Sequence, residues 1–253
     1  MNFSTKKKLQ NKELTIGSWI TLSDTNVTEI VCLNKKIDWI AIDMEHSMLD
    51  LKNVSSHIQV ARLMGKTSLV RLPNNDSTLI KQVMDAGASG IIVPMINTVK
   101  DLERSFLSLH YPPLGNRGVG LSRAQNFGMV GGFRDYKDSL EDEAILVVQI
   151  EHIDALSEID AITSHKDVDG IMIGPYDLSA SMGGAGDFTA DCYIDALEKI
   201  KTSALKNNCS LGIHIIEPSR EELHRSKKQG FNFIAYSTDF RMIENTLSLG
   251  LED

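Results

Sequence analysis

Residues 146–175 read LVVQIEHIDALSEIDAITSHKDVDGIMIGP, and this stretch decides the fold class. Two short apolar runs rich in Val and Ile flank a longer segment with a helical pattern. Such runs are too apolar for half-exposed antiparallel strands and are typical of strands buried in a parallel sheet. The alternation extends in both directions along the chain, with further runs at residues 16–20, 39–44, 68–72, 90–95, 210–215 and 233–238. Eight strands alternating with helices over about 250 residues predict an α/β fold, a (β/α)8 or TIM barrel.

A doubly wound sheet is the competing fold, and it needs a glycine-rich phosphate turn after an early strand. The nearest glycines, Gly118 with Gly120 and Gly131 with Gly132, lie in a long loop and lack the required spacing. The sequence therefore favours one barrel domain over residues 1–253, with residues 1–13 as a helical or flexible N-terminal extension.

Composition and charge exclude several functional classes. The chain has 42% apolar and 24% charged residues, which are ordinary globular proportions. Its net charge of −8, with no sustained Lys/Arg stripe, argues against a nucleic-acid partner. No run reaches the roughly 18 apolar residues of a membrane span, and the lysine-rich start lacks the apolar core of a secretory signal. Three widely spaced cysteines favour neither a disulfide framework nor a zinc ribbon. We expect a cytoplasmic protein.

Polar residues concentrate where the predicted strands end. In a barrel these ends meet at one shared face, which is where barrel enzymes hold their active sites. Two long loops, at residues 110–136 and 176–193, also follow strands and are expected on this face. The strand-end residues are Trp19, Asp43, Glu45, His46, Arg71, Pro94, Gln149, Glu151, Asp177, His214, Ser237 and Asp239.

Two carboxylates at neighbouring strand ends suggest a metal site. Glu151 follows Gln149 by two residues, so both side chains point to the same side of the fifth strand, and Asp177 lies just beyond the sixth strand. A carboxylate pair without Cys suits Mg²⁺ or Mn²⁺, with waters or substrate oxygens completing the coordination. The structural alternative is an ion pair of Glu151 with an arginine and a helix cap by Asp177.

The second and third strands end with candidates for proton transfer and anion binding. Asp43 and His46 stand three residues apart, and a carboxylate near an imidazole can fix its tautomer and raise its basicity. Arg71 ends an apolar strand and needs an anion, which could be Asp43, Asp85 or a substrate. None of the eight predicted strands contains a lysine, which argues against a Schiff-base mechanism and favours metal chemistry.

Several motifs occur in one order between about residues 14 and 245. They are GSW at 17–19, DMEH at 43–46, VRLP at 70–73, DAGA at 85–88, GIIVP at 90–94, RGVG at 117–120, QIE at 149–151 and GPYDLS at 174–179. Together they resemble the HpcH/HpaI family of class II pyruvate aldolases, including members that act on 2-keto-3-deoxy-sugar acids and 2,4-dihydroxyhept-2-ene-1,7-dioate. That resemblance implies a barrel of the phosphoenolpyruvate/pyruvate-binding type.

The resemblance also implies a chemistry and an assembly. A divalent metal (Mg²⁺ or Mn²⁺, with Co²⁺ as a further option) would bind pyruvate, or another 2-oxo acid, and an aldehyde would be the second substrate. The protein would cleave or form a 4-hydroxy-2-oxo acid through a pyruvate enolate. It would be a homo-oligomer, from dimer to hexamer, with the last helix swapped onto a partner.

The resemblance assigns roles to individual residues. Glu151 and Asp177 correspond to the metal ligands, Arg71 to the residue that steadies the enolate, and His46, oriented by Asp43, to the acid/base. The implied substrate-binding residues are Trp19, Arg71, Asp85 (reaching a neighbouring subunit's site), Arg123, Gln149, Pro175, Tyr176, Asp177 and His214.

The seventh strand departs from the family pattern. It reads GIHIIEP, with His214 where relatives commonly have an apolar side chain. An imidazole offers hydrogen bonding that an aliphatic side chain lacks, so the sequence predicts a polar, hydroxylated aldehyde. A purely structural His214, bonded to Glu217 or Asp239, is the alternative.

Four other functions are possible on this scaffold. A citrate-synthase-like condensation or an oxaloacetate decarboxylation would use the same pyruvate half, whereas a CoA-thioester lyase would need a basic adenine-phosphate site that is not evident. A non-catalytic binding protein would be expected to lack at least one of the four candidate catalytic and metal-binding residues. All four are present, namely His46, Arg71, Glu151 and Asp177.

Overall fold

The computed structural model describes residues 4–129 and 133–251 and contains a closed barrel of parallel strands. Each strand pairs with the next in chain order, and the last closes onto the first. Every predicted apolar run overlaps one of these strands, so the predicted fold class is confirmed. The strands are β1 (Thr15–Ile20), β2 (Trp39–Asp43), β3 (Thr67–Arg71), β4 (Gly90–Val93), β5 (Ile145–Ile150), β6 (Gly170–Ile173), β7 (Ser210–Ile215) and β8 (Phe233–Thr238).

Helices cover the outside of the barrel. Five of them begin after a residue whose side chain caps backbone amides of the first turn, namely Asp24, Asp50, Asp76, Thr98 and Ser219. Short 3-10 helices span Arg123–Gly128 and Ile153–Ser157. No helix within the described ranges is long and apolar enough to cross a membrane. The α-helices are α1 (Ser4–Gln10), α2 (Thr25–Leu33), α3 (Leu51–Leu63), α4 (Ser77–Asp85), α5 (Val99–Leu109), α6 (Phe133–Glu143), α7 (Ile159–Thr163), α8 (Pro175–Ser181), α9 (Asp191–Lys206), α10 (Arg220–Lys228) and α11 (Asp239–Leu251).

Alternate strand residues fill the inside of the barrel, as the period of two requires. Trp39 stacks on Phe233 with 4.4 Å between ring centroids. Gly17 makes room for that pair, because a Cβ at this position would lie 2.0 Å from the Trp39 ring. The buried interior cluster comprises Leu9, Trp19, Trp39, Ala41, Leu69, Ile92, Ile145, Val147, Met172, Phe233 and Ala235.

Helix α1 closes the amino ends of the strands, an end that we call the floor. Leu9 is fully buried in the interior cluster, and its carbonyl accepts a hydrogen bond from the Ser210 hydroxyl at 2.7 Å. The Thr5 and Thr67 hydroxyls are also hydrogen-bonded, at 2.8 Å. The expected N-terminal extension is therefore helical from Ser4, and residues 1–3 of that expectation lie outside the described residues. The opposite end, formed by the carboxyl ends of the strands, is the mouth.

Helix α11 follows β8 directly and leaves much of its apolar surface exposed. The exposed side chains are Phe240, Ile243, Leu247, Leu249 and Leu251. The expectation that this helix packs on a partner barrel stays a prediction.

Candidate active site

The mouth holds a buried ion pair between two neighbouring strands. Asp43 and Arg71 are register partners at the ends of β2 and β3. The guanidinium donates from Nε to Oδ1 at 2.9 Å and from Nη2 to Oδ2 at 2.7 Å, a two-point contact that fixes its plane. Burial acts to raise the pKa of Asp43, but the hydrogen bonds and charge of Arg71 outweigh it and lower that pKa. Arg71 is thus held in place as a permanent positive charge.

Asp43 contacts the backbone of His46 but not its imidazole, so the predicted orientation of the ring by Asp43 stays a prediction. The Asp43 carboxylate binds Arg71 and accepts from the backbone amides of Glu45 and His46, at 3.0 and 3.3 Å, rather than from the imidazole. The His46 side chain is 64% exposed, and its Nε2 lies 3.8 Å from Glu45 Oε2. His46 therefore stands over the mouth with Glu45 as its nearest carboxylate.

Glu45 is the residue that the sequence reasoning did not assign. Its Oε2 lies 3.4 Å from Arg71 Nε and is buried without a hydrogen-bond partner. Burial raises the pKa of Glu45 to about 7; Arg71 opposes this rise, while the nearby charges of Glu151, Asp43 and Asp177 add to it. The sequence indicated Glu45 only through its position two residues after Asp43, because residues two apart along an extended strand point to the same face.

Glu151 is a buried carboxylate in a tight cradle at the end of β5. Its Oε1 accepts from the backbone amide of Met95 at 2.6 Å, and its Oε2 accepts from the Gln149 side-chain amide. Met95 has a left-handed φ of 54°, which turns that amide toward the carboxylate. Gly174 is required beside it, because a Cβ there would lie 2.6 Å from Glu151 Oε2. Burial raises the pKa of Glu151, and the charge of Asp177 raises it further against the two hydrogen bonds.

The predicted metal pair fits a hard divalent cation. Asp177 is exposed in the first turn of α8, together with Pro175 and Tyr176, and its charge acts on both Glu151 and Glu45. Among the described residues, no set of three or more Asp, Glu, His or Cys side chains could hold a metal by themselves. The arrangement matches a site with two protein carboxylates and oxygen ligands from elsewhere. A divalent cation would offset the mutual repulsion of these acids.

Trp19 and His214 line the mouth on the far side of Arg71. The Arg71 guanidinium carbon lies 4.2 Å from the Trp19 ring centroid, within cation–π range. The His214 ring meets Trp19 edge to face at 5.8 Å between centroids. The structure thus brings together Trp19, Asp43, His46, Arg71, Gln149, Glu151, Asp177 and His214 at or beside the carboxyl ends of the strands.

Arg123 and Asp85 do not join this group within the chain. Arg123 Nη1 would lie 3.3 Å from a Cβ on Gly87, which follows α4 at the floor end of the barrel. Asp85 ends α4 and pairs with Arg117 at 2.5 Å. The loop that carries Arg123 follows α5 rather than β4, so it begins at the floor, and the expectation of this loop at the mouth is wrong. Its 3-10 helix is tied to the floor end of α3 through Arg62 Nη2 and Asn126 Oδ1 at 3.1 Å. Arg123 therefore does not reach the mouth of its own chain, and its predicted role in substrate binding stays a prediction.

Comparisons with known proteins agree with this geometry. Residues 15–245 match the family model described as HpcH/HpaI aldolase/citrate lyase. The chain belongs to this family. A hydroxypyruvate/pyruvate aldolase from Roseovarius nubinhibens is 34% identical over 95% of this chain and 92% of the relative. A 5-keto-4-deoxy-D-glucarate aldolase from Escherichia coli is 30% identical over 92% of this chain and 90% of the relative. A solved HpcH/HpaI aldolase/citrate lyase family protein from Burkholderia cenocepacia has a TM-score of 0.91, with 27% identity over 99% of this chain and 98% of that one.

Membership in the HpcH/HpaI family confirms the resemblance that the sequence motifs indicated. It also confirms the predicted class of enzyme, a carbon–carbon lyase of the aldolase type. The match covers β1 through most of α11, so it includes every residue placed at the mouth. The residue roles themselves stay predictions.

Proposed function

We propose that this protein is a divalent-metal-dependent aldolase that joins pyruvate, or another 2-oxo acid, to an aldehyde and cleaves the resulting 4-hydroxy-2-oxo acid. One observation carries the proposal: the Arg71–Asp43 ion pair stands beside Glu45, Glu151 and Asp177 at a single barrel mouth. The fixed positive charge of Arg71 would stabilise the negative charge that develops on a bound oxo acid during the reaction.

Glu151 and Asp177 are the residues that would hold Mg²⁺, Mn²⁺ or Co²⁺. When bound, the ion supplies Lewis-acid polarisation of the carboxylate and keto oxygens of the oxo acid. The Met95 amide and the Gln149 side-chain amide each donate a hydrogen bond to one oxygen of Glu151, and these two bonds would orient the carboxylate for metal binding.

The chain's own groups account for the remaining steps of cleavage. His46 accepts the proton from the 4-hydroxyl oxygen, the C3–C4 bond breaks, and the aldehyde leaves. The electron pair of the broken C3–C4 bond passes into the pyruvate half, where Arg71 stabilises the developing enolate charge. Transfer to C3 of the proton that His46 took up then completes the pyruvate methyl group and regenerates the neutral imidazole. Asp43 takes part indirectly, since its two hydrogen bonds hold Arg71 in position.

The assembly and location are part of the same proposal. The exposed apolar side chains of α11 support a homo-oligomer, from dimer to hexamer, in which this helix covers a partner. A small-molecule substrate and the absence of a basic stripe in the sequence support a cytoplasmic enzyme without nucleic-acid or membrane partners.

Metal removal tests the proposal. We expect a chelator to abolish pyruvate formation from a 4-hydroxy-2-oxo acid, and Mg²⁺, Mn²⁺ or Co²⁺ added in excess of the chelator to restore it. Pyruvate release can be followed by coupled reduction to lactate. Full activity in excess chelator, or covalent trapping of pyruvate on the protein by borohydride, would contradict the metal mechanism.

A further inference from the structure

Two adjacent rings at the mouth each carry a buried polar atom without a partner. Trp19 on β1 and His214 on β7 meet edge to face, and Trp19 is only 2% exposed. The Trp19 Nε1 and the His214 Nε2 are both inaccessible and make no hydrogen bond. Buried polar atoms are usually paired, so two such atoms on touching rings indicate a place for a ligand group.

The local backbone fixes which hydrogen-bonding role His214 presents. The backbone carbonyl of Ser237 is the hydrogen-bond acceptor for the imidazole, and Nε2 has no partner. Burial, followed by the charge of Arg71, lowers the pKa of His214 to about 4, so the ring is neutral near pH 7. A neutral ring that donates from one nitrogen offers only an acceptor at the other, here Nε2.

The carbonyl that holds His214 is itself placed by an irregularity of the sheet. The pairing of β1 with β8 shifts register between Gly17 and Trp19, and Ser237 adopts a left-handed φ of 57°. The Ser18 hydroxyl donates to the same Ser237 carbonyl at 3.3 Å. A non-glycine residue in this conformation costs free energy and persists where its surroundings require it, so this arrangement marks a built site.

We propose that Trp19 and His214 together bind a hydroxyl group of the aldehyde, which makes hydroxylated aldehydes the preferred acceptors; this inference rests on the proposed aldolase function. Trp19 Nε1 can only donate, and His214 Nε2 can only accept. A hydroxyl group does both, so it satisfies the two atoms at once, whereas a plain alkyl chain leaves both unpaired. The two rings lie beside Arg71, which leaves the oxo-acid half of the substrate to the other residues of the mouth.

Paired aldehydes test the proposal. The efficiency kcat/KM of metal-loaded enzyme with pyruvate is compared for glycolaldehyde against acetaldehyde, and for glyceraldehyde against propanal. His214→Leu removes the acceptor, and Trp19→Phe removes the donor but keeps an aromatic ring against Arg71. We expect each variant to lower the hydroxylated-to-plain ratio by about 10- to 100-fold, the effect of leaving a buried partner unpaired. His214→Gln, which retains an acceptor oxygen, should recover part of the ratio.

The double variant gives a second readout that a structural role would not produce. If one hydroxyl bridges both atoms, the losses of ratio in His214→Leu and Trp19→Phe should not add in the double variant. His224→Leu, on the exposed face of α10, serves as the matched control and should leave the ratio unchanged.

Several results would overturn the inference. Equal losses for hydroxylated and plain aldehydes would show that the two rings are structural or hold a fixed water. An unchanged ratio in His214→Leu would likewise contradict it. If the wild-type enzyme shows no metal-dependent turnover with any aldehyde, the proposed aldolase function itself fails, and the acceptor preference fails with it.

Discussion

The two ends of the barrel handle charge in opposite ways. At the floor, two lysines of α1 are paired with acids around the apolar plug of Leu9: Lys8 Nζ lies 2.6 Å from Asp38 and Lys6 Nζ lies 3.5 Å from Asp169. At the mouth, the guanidinium of Arg71 contacts two carboxylates, Asp43 and Glu45, and the charge of Glu151 also acts on Glu45. Paired charges stabilise the surface, whereas an excess of negative charge needs a positive partner, which the proposed metal ion would supply.

The mouth also holds buried polar atoms that make no hydrogen bond. Buried atoms without a partner at the mouth include Trp19 Nε1, Glu45 Oε2, Gln149 Oε1 and His214 Nε2. They belong to four different strands or strand ends and face one region. Unpaired buried atoms also occur at the floor, for example His110 Nδ1, so their number does not separate the two ends. What distinguishes the mouth is that its unpaired atoms lie beside Arg71 and the carboxylates of the proposed site.

The largest effect should follow loss of the proton-transfer group at the mouth. His46→Ala is expected to lower turnover by about 10²–10⁴-fold and to flatten the pH profile, because no other imidazole stands exposed beside Glu45. Steady-state kinetics across pH 5–9 would check this, with His224→Ala on the exposed face of α10 as the matched control. Unchanged turnover in His46→Ala would remove it as the acid/base.

The next effect concerns the fixed cation. Arg71→Ala should cost about 10²–10³-fold in turnover, since enolate stabilisation and binding are lost together. Arg71→Lys should remain impaired because an ammonium group cannot reproduce the two-point contact with Asp43. Exchange of the pyruvate methyl protons for deuterium isolates this half of the reaction, and Arg225→Ala on α10 is the control. Full exchange in Arg71→Lys would show that only charge matters there.

Much of the mouth could be predicted from the sequence because strand geometry is periodic. Asp43, Arg71, Gln149, Glu151 and His214 stand at strand ends on the inward face, so the period of two and the parallel arrangement place them together. Contacts within that group were less predictable. Asp43 could serve either the imidazole or the guanidinium, and only the register of β2 with β3 shows that it binds Arg71.

The path of the long loop could not be predicted from local sequence. The loop that begins at residue 110 follows α5 rather than β4, so it starts at the floor, and packing against α3 and α4 keeps Arg123 there. The plug formed by Leu9 was also unforeseen, because one apolar residue in a lysine-rich segment gives no local signal. Both features depend on tertiary contacts far away in the chain.

The floor should respond to mutation through stability alone. Leu9→Ala removes a fully buried side chain from the interior cluster and should lower the free energy of unfolding by about 2–5 kcal/mol. Turnover per folded molecule should stay at the wild-type level. Urea denaturation at fixed protein concentration, combined with kinetics, measures both. Leu63→Ala, at an exposed position on α3, should change stability by less than about 0.5 kcal/mol.

A reduced turnover in folded Leu9→Ala would contradict the separate roles of the two ends, because it would mean that packing at the floor affects the geometry of the mouth. An unchanged free energy of unfolding would show that α1 does not act as a plug.

The smallest predicted effect lies in the pH dependence of stability at the floor. His110 caps the end of α5, is only 5% exposed, packs against Phe106 at 4.5 Å between ring centroids, and leaves Nδ1 unpaired. Burial, with a further contribution from the charge of Lys6, lowers the pKa of His110 to about 4. An unfolded histidine titrates near 6.5. Between these two values the unfolded chain binds a proton that the folded chain does not.

The sign of the effect follows from this difference. The stabilising contribution of His110 is complete above about pH 6.5 and is lost as the pH falls toward about 4, because stability rises with pH wherever the unfolded state binds more protons. His110→Gln cannot titrate, so its loss of stability over this range should be smaller than that of the wild type by about 1–3 kcal/mol. The lowered pKa of His214 acts with the same sign at the mouth, so a part of the wild-type dependence of stability on pH should persist in the variant.

Denaturant midpoints between pH 7 and pH 4, with His224→Gln as the control, measure the difference. Identical slopes for His110→Gln and the wild type would show that His110 is protonated in the folded protein, and the floor would then hold a buried positive charge of its own.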